Sequence, residues 1–162
     1  MMFRNWWRRI VGRKDQLPSR GRRPARTRPQ VEPLETRAVP AGNVAAFLRG
    51  GDLIVVGDRA DNAVEIRVTD GNLVVQGRDG TDTTVNGDSR AVFEGVGRIA
   101  DDLKVFLGGG NDLIDVLGVS VDGDVSIHAD GFFTKFVGGR GDDQVLLDQL
   151  TIGGNLDVST GG

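Results

Sequence analysis

Ile99-Ala-Asp-Asp-Leu103-Lys-Val105, Val121-Asp-Gly-Asp-Val125-Ser-Ile127 and Ile152-Gly-Gly-Asn-Leu156-Asp-Val158 are three writings of one pattern. An apolar residue leads into two small or acidic ones. Asp or Asn follows, then apolar, one residue, apolar. The copies start 22 and then 31 residues apart. Between them stand a glycine turn and a second alternating run, Gly108-Gly-Gly110-Asn-Asp112-Leu-Ile114-Asp-Val116 and then Gly139-Arg-Gly141-Asp-Asp143-Gln-Val145-Leu-Leu147. A repeat of this length is one supersecondary unit whose core exists only when units stack. The expected fold is therefore all-β: a parallel β-helix, or β-solenoid, with coils of about 22 residues over residues 98–162.

Period-2 alternation assigns the faces. Stacking sets Leu103, Val125 and Leu156 in one inward column and Val105, Ile127 and Val158 in the next. Stacked strands lie ~4.8 Å apart, so such columns form continuous apolar ladders. Lys104, Asp115, Ser126, Gln144 and Asp157 fall outward and read as a solvated face.

Residues 43–97 form the β-rich start of the body. Asp52–Val56, Val64–Val68 and Asn72–Val75 are the strand candidates. Asp70-Gly71 is a hairpin turn signal, which allows this part to open with antiparallel strands. Gly57 to Val64 copies the later turns loosely, with Ala60 where the second glycine stands. The third copy reaches the start of its turn at Gly162, so the repeat is expected to be incomplete there. An uncapped last strand invites strand addition, and with it end-to-end self-association.

Composition divides the chain of 162 residues in two. All five prolines and both tryptophans lie in the first 40 residues. Residues 1–42 carry 11 Lys/Arg and three acids, net +8; the rest carries 9 basic and 20 acidic residues, net −11. A basic tail on an acidic body is the usual meaning of such asymmetry. The absence of cysteine excludes disulfides, thiolate zinc and thiol catalysis. No run approaches the ~18 apolar residues of a membrane span.

Residues 1–42 read as an export or address segment, mostly disordered, because their Arg/Pro-rich composition buries little apolar surface. Phe3, Trp6, Trp7 and Ile10 are spaced for a short amphipathic helix that touches anionic membrane during export; an unstructured basic terminus is the competing reading. No aromatic is interleaved with the later arginines and the body is acidic, so no nucleic-acid partner is expected. Val31-Glu-Pro-Leu-Glu35-Thr-Arg37-Ala-Val-Pro40-Ala41 resembles a short N-terminal motif of bacterial secreted, repeat-rich proteins, in which a basic stretch leads into LEPLE-x-R-x-x-P/S-A before an extracellular β-rich body. Glu32, Pro33, Leu34, Glu35, Arg37, Pro40 and Ala41 carry the match; Val31 stands where Leu is common. The resemblance implies an extracellular or cell-surface location and names no reaction.

The glycine–Asp turn is the main place for chemistry. Gly138-Gly-Arg-Gly-Asp-Asp143-Gln-Val145-Leu146 is similar to the calcium-binding nonapeptide of hemolysin-type repeats, G-G-x-G-x-D-x-U-x, and Leu107 to Asp115 matches it except at Leu107. That likeness points to Asp112, Asp143, Asp142 and Asn111 as metal ligands and to calcium as the cation. Calcium wants six to eight oxygens, and turns 31 residues apart are not tandem nonapeptides. The competing reading is that glycine supplies φ > 0 and Asp bonds the turn backbone.

The longer spacing holds a nine-residue insertion near Ala129–Val137. Insertions leave a solenoid on one face, often the binding face, so Phe132, Phe133 and Phe136 are the partner-binding candidates, against the alternative that they fold back on the outer wall. Arg140-Gly141-Asp142 is an integrin-type tripeptide, but the turn already accounts for it. His128, the only histidine, has no Ser or Cys partner at motif spacing and reads as a solvated outward residue. No phosphate loop, helical zinc motif or nucleophile elbow is present. The expectation is a non-enzymatic structural or adhesive solenoid that needs no cofactor beyond the calcium question. Its expected partners are envelope or extracellular matrix components, glycans among them. A calcium-binding repeat domain and a carbohydrate-binding or carbohydrate-active β-helix are the rivals.

Overall fold

Alternating apolar runs broken by glycine turns form strands, and the computed structural model of the chain, which describes residues 42–130 and 141–161, holds strands and no helix among them. Residues 1–41, with the motif at 31–41, and Phe132, Phe133 and Phe136 lie outside the described residues.

Thirteen strands arise in chain order. The first six are β1 (Asn43–Arg49), β2 (Asp52–Val56), β3 (Ala63–Thr69), β4 (Asn72–Gly77), β5 (Thr84–Val85) and β6 (Arg90–Phe93). The repeats supply β7 (Leu103–Phe106), β8 (Leu113–Leu117), β9 (Ser120–Val121), β10 (Val125–His128), β11 (Gln144–Asp148), β12 (Thr151–Ile152) and β13 (Leu156–Ser159). They assemble into three sheets, ordered β13-β10-β7-β2-β1-β5, β11-β8-β3-β4-β6 and β12-β9.

Within the repeats every pairing is parallel and in register. Leu103 pairs with Val125 and Val125 with Leu156; Val105 pairs with Ile127 and Ile127 with Val158. Ile114 pairs with Val145, and Val121 with Ile152. The columns expected from the alternation are these. Residues 43–97 open with antiparallel strands, as Asp70-Gly71 allowed, so the sheets as a whole do not form a parallel β-helix. β1 folds back on β2, β4 on β3, and β6 on β4, all antiparallel, so the sheets are mixed. Asp70 and Gly71 make the β3–β4 turn with φ of 53° and 75°, the two positive values that a two-residue hairpin of right-handed strands requires. Gly50 and Gly51 make the β1–β2 turn.

The core lies between the sheets. Leu53, Ile66, Leu73, Ile99, Leu103, Ile114 and Ile127 are sealed from water. In the last copy the same columns surface: Leu156 is 51% and Val158 40% exposed, because nothing among the described residues stacks on them.

Candidate functional site

The turn residues converge on the corners where one copy meets the next. Leu113 pairs with both Ala63 and Gln144, so the residues before them, Asn62, Asp112 and Asp143, form one corner column. Asp143 Oδ1 accepts the Asp112 backbone N–H at 2.8 Å. Asp112 Oδ1 accepts the Asn62 backbone N–H at 2.8 Å and its Nδ2–H at 3.3 Å. The neighbouring column runs the opposite way. Asp61 Oδ1 accepts from Asn111 N–H at 2.8 Å, and Asn111 Oδ1 from Asp142 N–H at 2.9 Å. A third column joins Asp52, Asp102, Asp124 and Asn155, each side-chain oxygen taking the next residue's N–H at 2.7–3.1 Å.

Asp112, Asp143, Asn111 and Asp142 are thus brought together in two adjacent columns. The side chains of Asp112, Asp143 and Asn111 act as backbone acceptors between copies, and Asp142 takes part through its backbone N–H. In these columns side-chain acceptors alternate with backbone N–H donors, which is the arrangement of the reading in which Asp bonds the turn backbone. One oxygen departs from this scheme: Asp112 is buried and its Oδ2 has no hydrogen-bond partner. Burial pushes its carboxyl up to about 6; the Asn62 N–H and amide pull the other way, and Asp143 and Asp61 add repulsion. Asn62 Oδ1 is likewise buried without a partner.

Among the described residues one carboxylate trio is close enough for a metal. Asp52, Asp101 and Asp102 place oxygens within 4.8 Å of one another. The chain brings its own cation there. Lys104 Nζ lies 2.6 Å from Asp52 Oδ2 and 2.9 Å from Asp102 Oδ2. Its hydrogen bond and the Asp102 N–H lower the Asp52 carboxyl; the Asp124 N–H and Lys104 lower that of Asp102. The two carboxylates, Asp52 first, hold Lys104 well above the ordinary lysine range. A divalent ion would have to displace this ammonium, so the trio fits a metal poorly. Sequence reading missed it, although Lys104 one residue past an inward Leu103 is a visible signal.

His128 is not the isolated residue expected. Ser126 Oγ lies 2.9 Å from its Nε2, Asp157 Oδ2 lies 3.9 Å from the same nitrogen, and its ring stacks on Phe106 at 5.6 Å. A nucleophile relay puts hydroxyl and carboxylate on opposite ring nitrogens. Here both approach Nε2, so the geometry orients no nucleophile. Asp115, expected to be solvated, is 6% exposed and pairs with Arg78 Nε at 3.1 Å. That pair borders a cleft of about 370 Å³ also lined by Leu113, Gln144, Val145 and Leu146.

No protein-family model, curated protein or solved structure matches the chain.

Proposed function

We propose that the chain is an exported, non-enzymatic β-solenoid with a structural or adhesive role at the bacterial envelope. One observation carries the reading. Asp112, Asp143 and Asn111, three of the four residues that the sequence marks as metal ligands, accept a backbone N–H of a neighbouring copy, and Lys104 clamps Asp52 to Asp102. The 22-residue parallel register of β7 with β10, and the 31-residue registers of β10 with β13, β8 with β11 and β9 with β12, support coils of about 22 residues with nine residues added in the last. The VEPLETRAVPA motif at residues 31–41 and its basic lead support export.

The test is protease shaving of intact cells expressing the tagged full chain, with fractionation. The expected outcome is a body cut from outside or recovered from the medium. Retention in the cytosol, shielded from protease, overturns the location. Turnover of a polysaccharide panel by the purified chain overturns the non-enzymatic part.

A second reading, calcium at the turns, draws on the buried Asp112 Oδ2 that has no partner. Asp143 Oδ1 and Asn111 Oδ1 already accept N–H groups, which leaves few oxygens for an ion that wants six to eight. Calorimetric titration with calcium is expected to give weak binding or none; sub-micromolar affinity would put this reading first.

A further inference from the structure

The outward sides of β8 and β11 meet the turn that follows β4. Leu113 pairs with Gln144 and Asp115 with Leu146, and all four point outward, since Ile114, Val116, Val145 and Leu147 face the core. Arg78 reaches this surface from the far side of β3, and its backbone is fixed on both sides. Its N–H donates to the Ala63 carbonyl at 2.9 Å; its own carbonyl accepts the Thr81 N–H at 3.1 Å and the Thr81 hydroxyl at 2.7 Å. Its Nε stands 3.1 Å from Asp115 Oδ2. The cleft of about 370 Å³ lies among these groups, with Leu113, Val145 and Leu146 as its apolar lining and Gln144 beside them. Asp115 is buried, yet its Oδ1 takes no hydrogen bond among the described residues and, unlike Asp112 Oδ2, is not sealed. The two terminal nitrogens of Arg78 are likewise unbonded among the described residues. Glu65, Arg67 and Gln76 on the same sheet are tied to one another instead.

We propose that this cleft binds one neutral hexopyranose unit of a glycan. The chemistry of the lining selects the ligand. A buried carboxylate that is paired through one oxygen leaves the other in need of a donor. Beside it the Arg78 guanidinium offers donors in a plane that the ion pair already orients, so little freedom is lost on binding. Vicinal hydroxyls of a sugar ring answer both groups: one donates to Asp115 Oδ1, its neighbour accepts from Arg78, and the Gln144 amide serves either. The C–H face of the ring then covers Leu113 and Leu146, the latter 51% exposed. Arg78 and Asp115 cancel in charge, so the cleft asks for no ionic ligand. An anion would meet the Asp115 carboxylate and a body of net −11. The volume of about 370 Å³ stands at the small end of ligand sites, roughly 300–1,000 Å³, which suits a sugar ring and not a packed protein segment. The proposal rests on the adhesive reading above for its purpose, and its test is made on the purified chain, so that a failure of export and a failure of binding are told apart.

The experiment is titration of the full chain with the methyl glycosides of glucose, mannose and galactose, followed by NMR of the leucine and valine methyl groups. At least one of the three is expected to shift the Leu113, Val145 and Leu146 methyls, with a Kd of the order of 1 mM, and to leave the sealed Leu103 methyls in place. Arg78→Lys keeps the charge beside Asp115 and removes the planar donors. Gln144→Ala trims an exposed side chain. Both should match the parent in circular dichroism, and Arg78→Lys should weaken binding about tenfold or more. Val92→Asp, at an exposed residue of β6, should leave binding unchanged. Sodium glucuronate should bind more weakly than the neutral glucoside. No methyl shift from any of the three at about 100 mM, a hundredfold above the expected constant, would overturn the proposal. So would shifts confined to other methyls, full affinity in both cleft variants, or tighter binding of glucuronate.

Discussion

Asp112 is the one carboxylate of its corner column that is sealed from water, while Asn62, at the equivalent place, is a neutral amide whose Nδ2–H donates to the Ala60 and Leu107 carbonyls. Its carboxyl sits near 6 when folded against 3.8 when free, burial being the main cause. The folded state therefore holds the proton more tightly. Stability from this residue is full below pH 3.8 and is lost as pH rises through about 6. Two units of pKa correspond to roughly 3 kcal/mol. Asp52 and Asp102 act with the opposite sign. Their folded values are lowered, so their contribution is present above pH 3.8 and is lost as pH falls below it. Urea midpoints should peak on the acid side of neutrality, between these limits. Asp112→Asn keeps an oxygen for the Asn62 N–H and removes the titration. It should stabilise the chain at pH 7 by up to about 3 kcal/mol, and match the parent below pH 3.8. Equal midpoints at pH 7 would mean that water or a cation reaches Oδ2.

At the scale of the element, turns decide where strands can meet. Gly108 has φ of 106°, and a Cβ there would run into the Asp58 carbonyl oxygen of the neighbouring turn. Gly118 has φ of 61° and open space around it. Gly108→Ala should cost about 3 kcal/mol or more, since strain and a backbone clash add. Gly118→Ala should cost about 1 kcal/mol, from the left-handed conformation alone. Chemical denaturation of the two variants checks the gap; equal losses would show that the turns do not press on each other. These turns also explain what was legible. The Leu103–Val125–Leu156 column could be read because period 2 fixes faces and the spacing fixes register. β1 was not read, since Ala45 and Ala46 blur its alternation, although Gly50-Gly51 marked the hairpin. Asp115 was misplaced because alternation gives a direction and not what lies over it; Arg78 arrives from a turn 37 residues earlier in sequence. Asp112 and Asp143 were picked out together by the turn motif, but a motif cannot tell a carboxylate that holds a cation from one that takes a neighbouring N–H.

Across the whole molecule, copies contact only their neighbours, so the cost of a substitution should depend on its place along the stack. Ile127 and Val158 test this within one column. They pair directly, yet Ile127 is sealed and Val158 is 40% exposed. Ile127→Ala removes buried methylenes between two copies and should cost about 3 kcal/mol, the transfer and cavity terms together. Val158→Ala should cost less than about 1 kcal/mol, because its side chain already meets water. Thermal unfolding of the two variants reads the gap. Equal losses at Ile127 and Val158 would show that exposure along the column does not set the cost, and that the copies do not add their stabilities neighbour by neighbour.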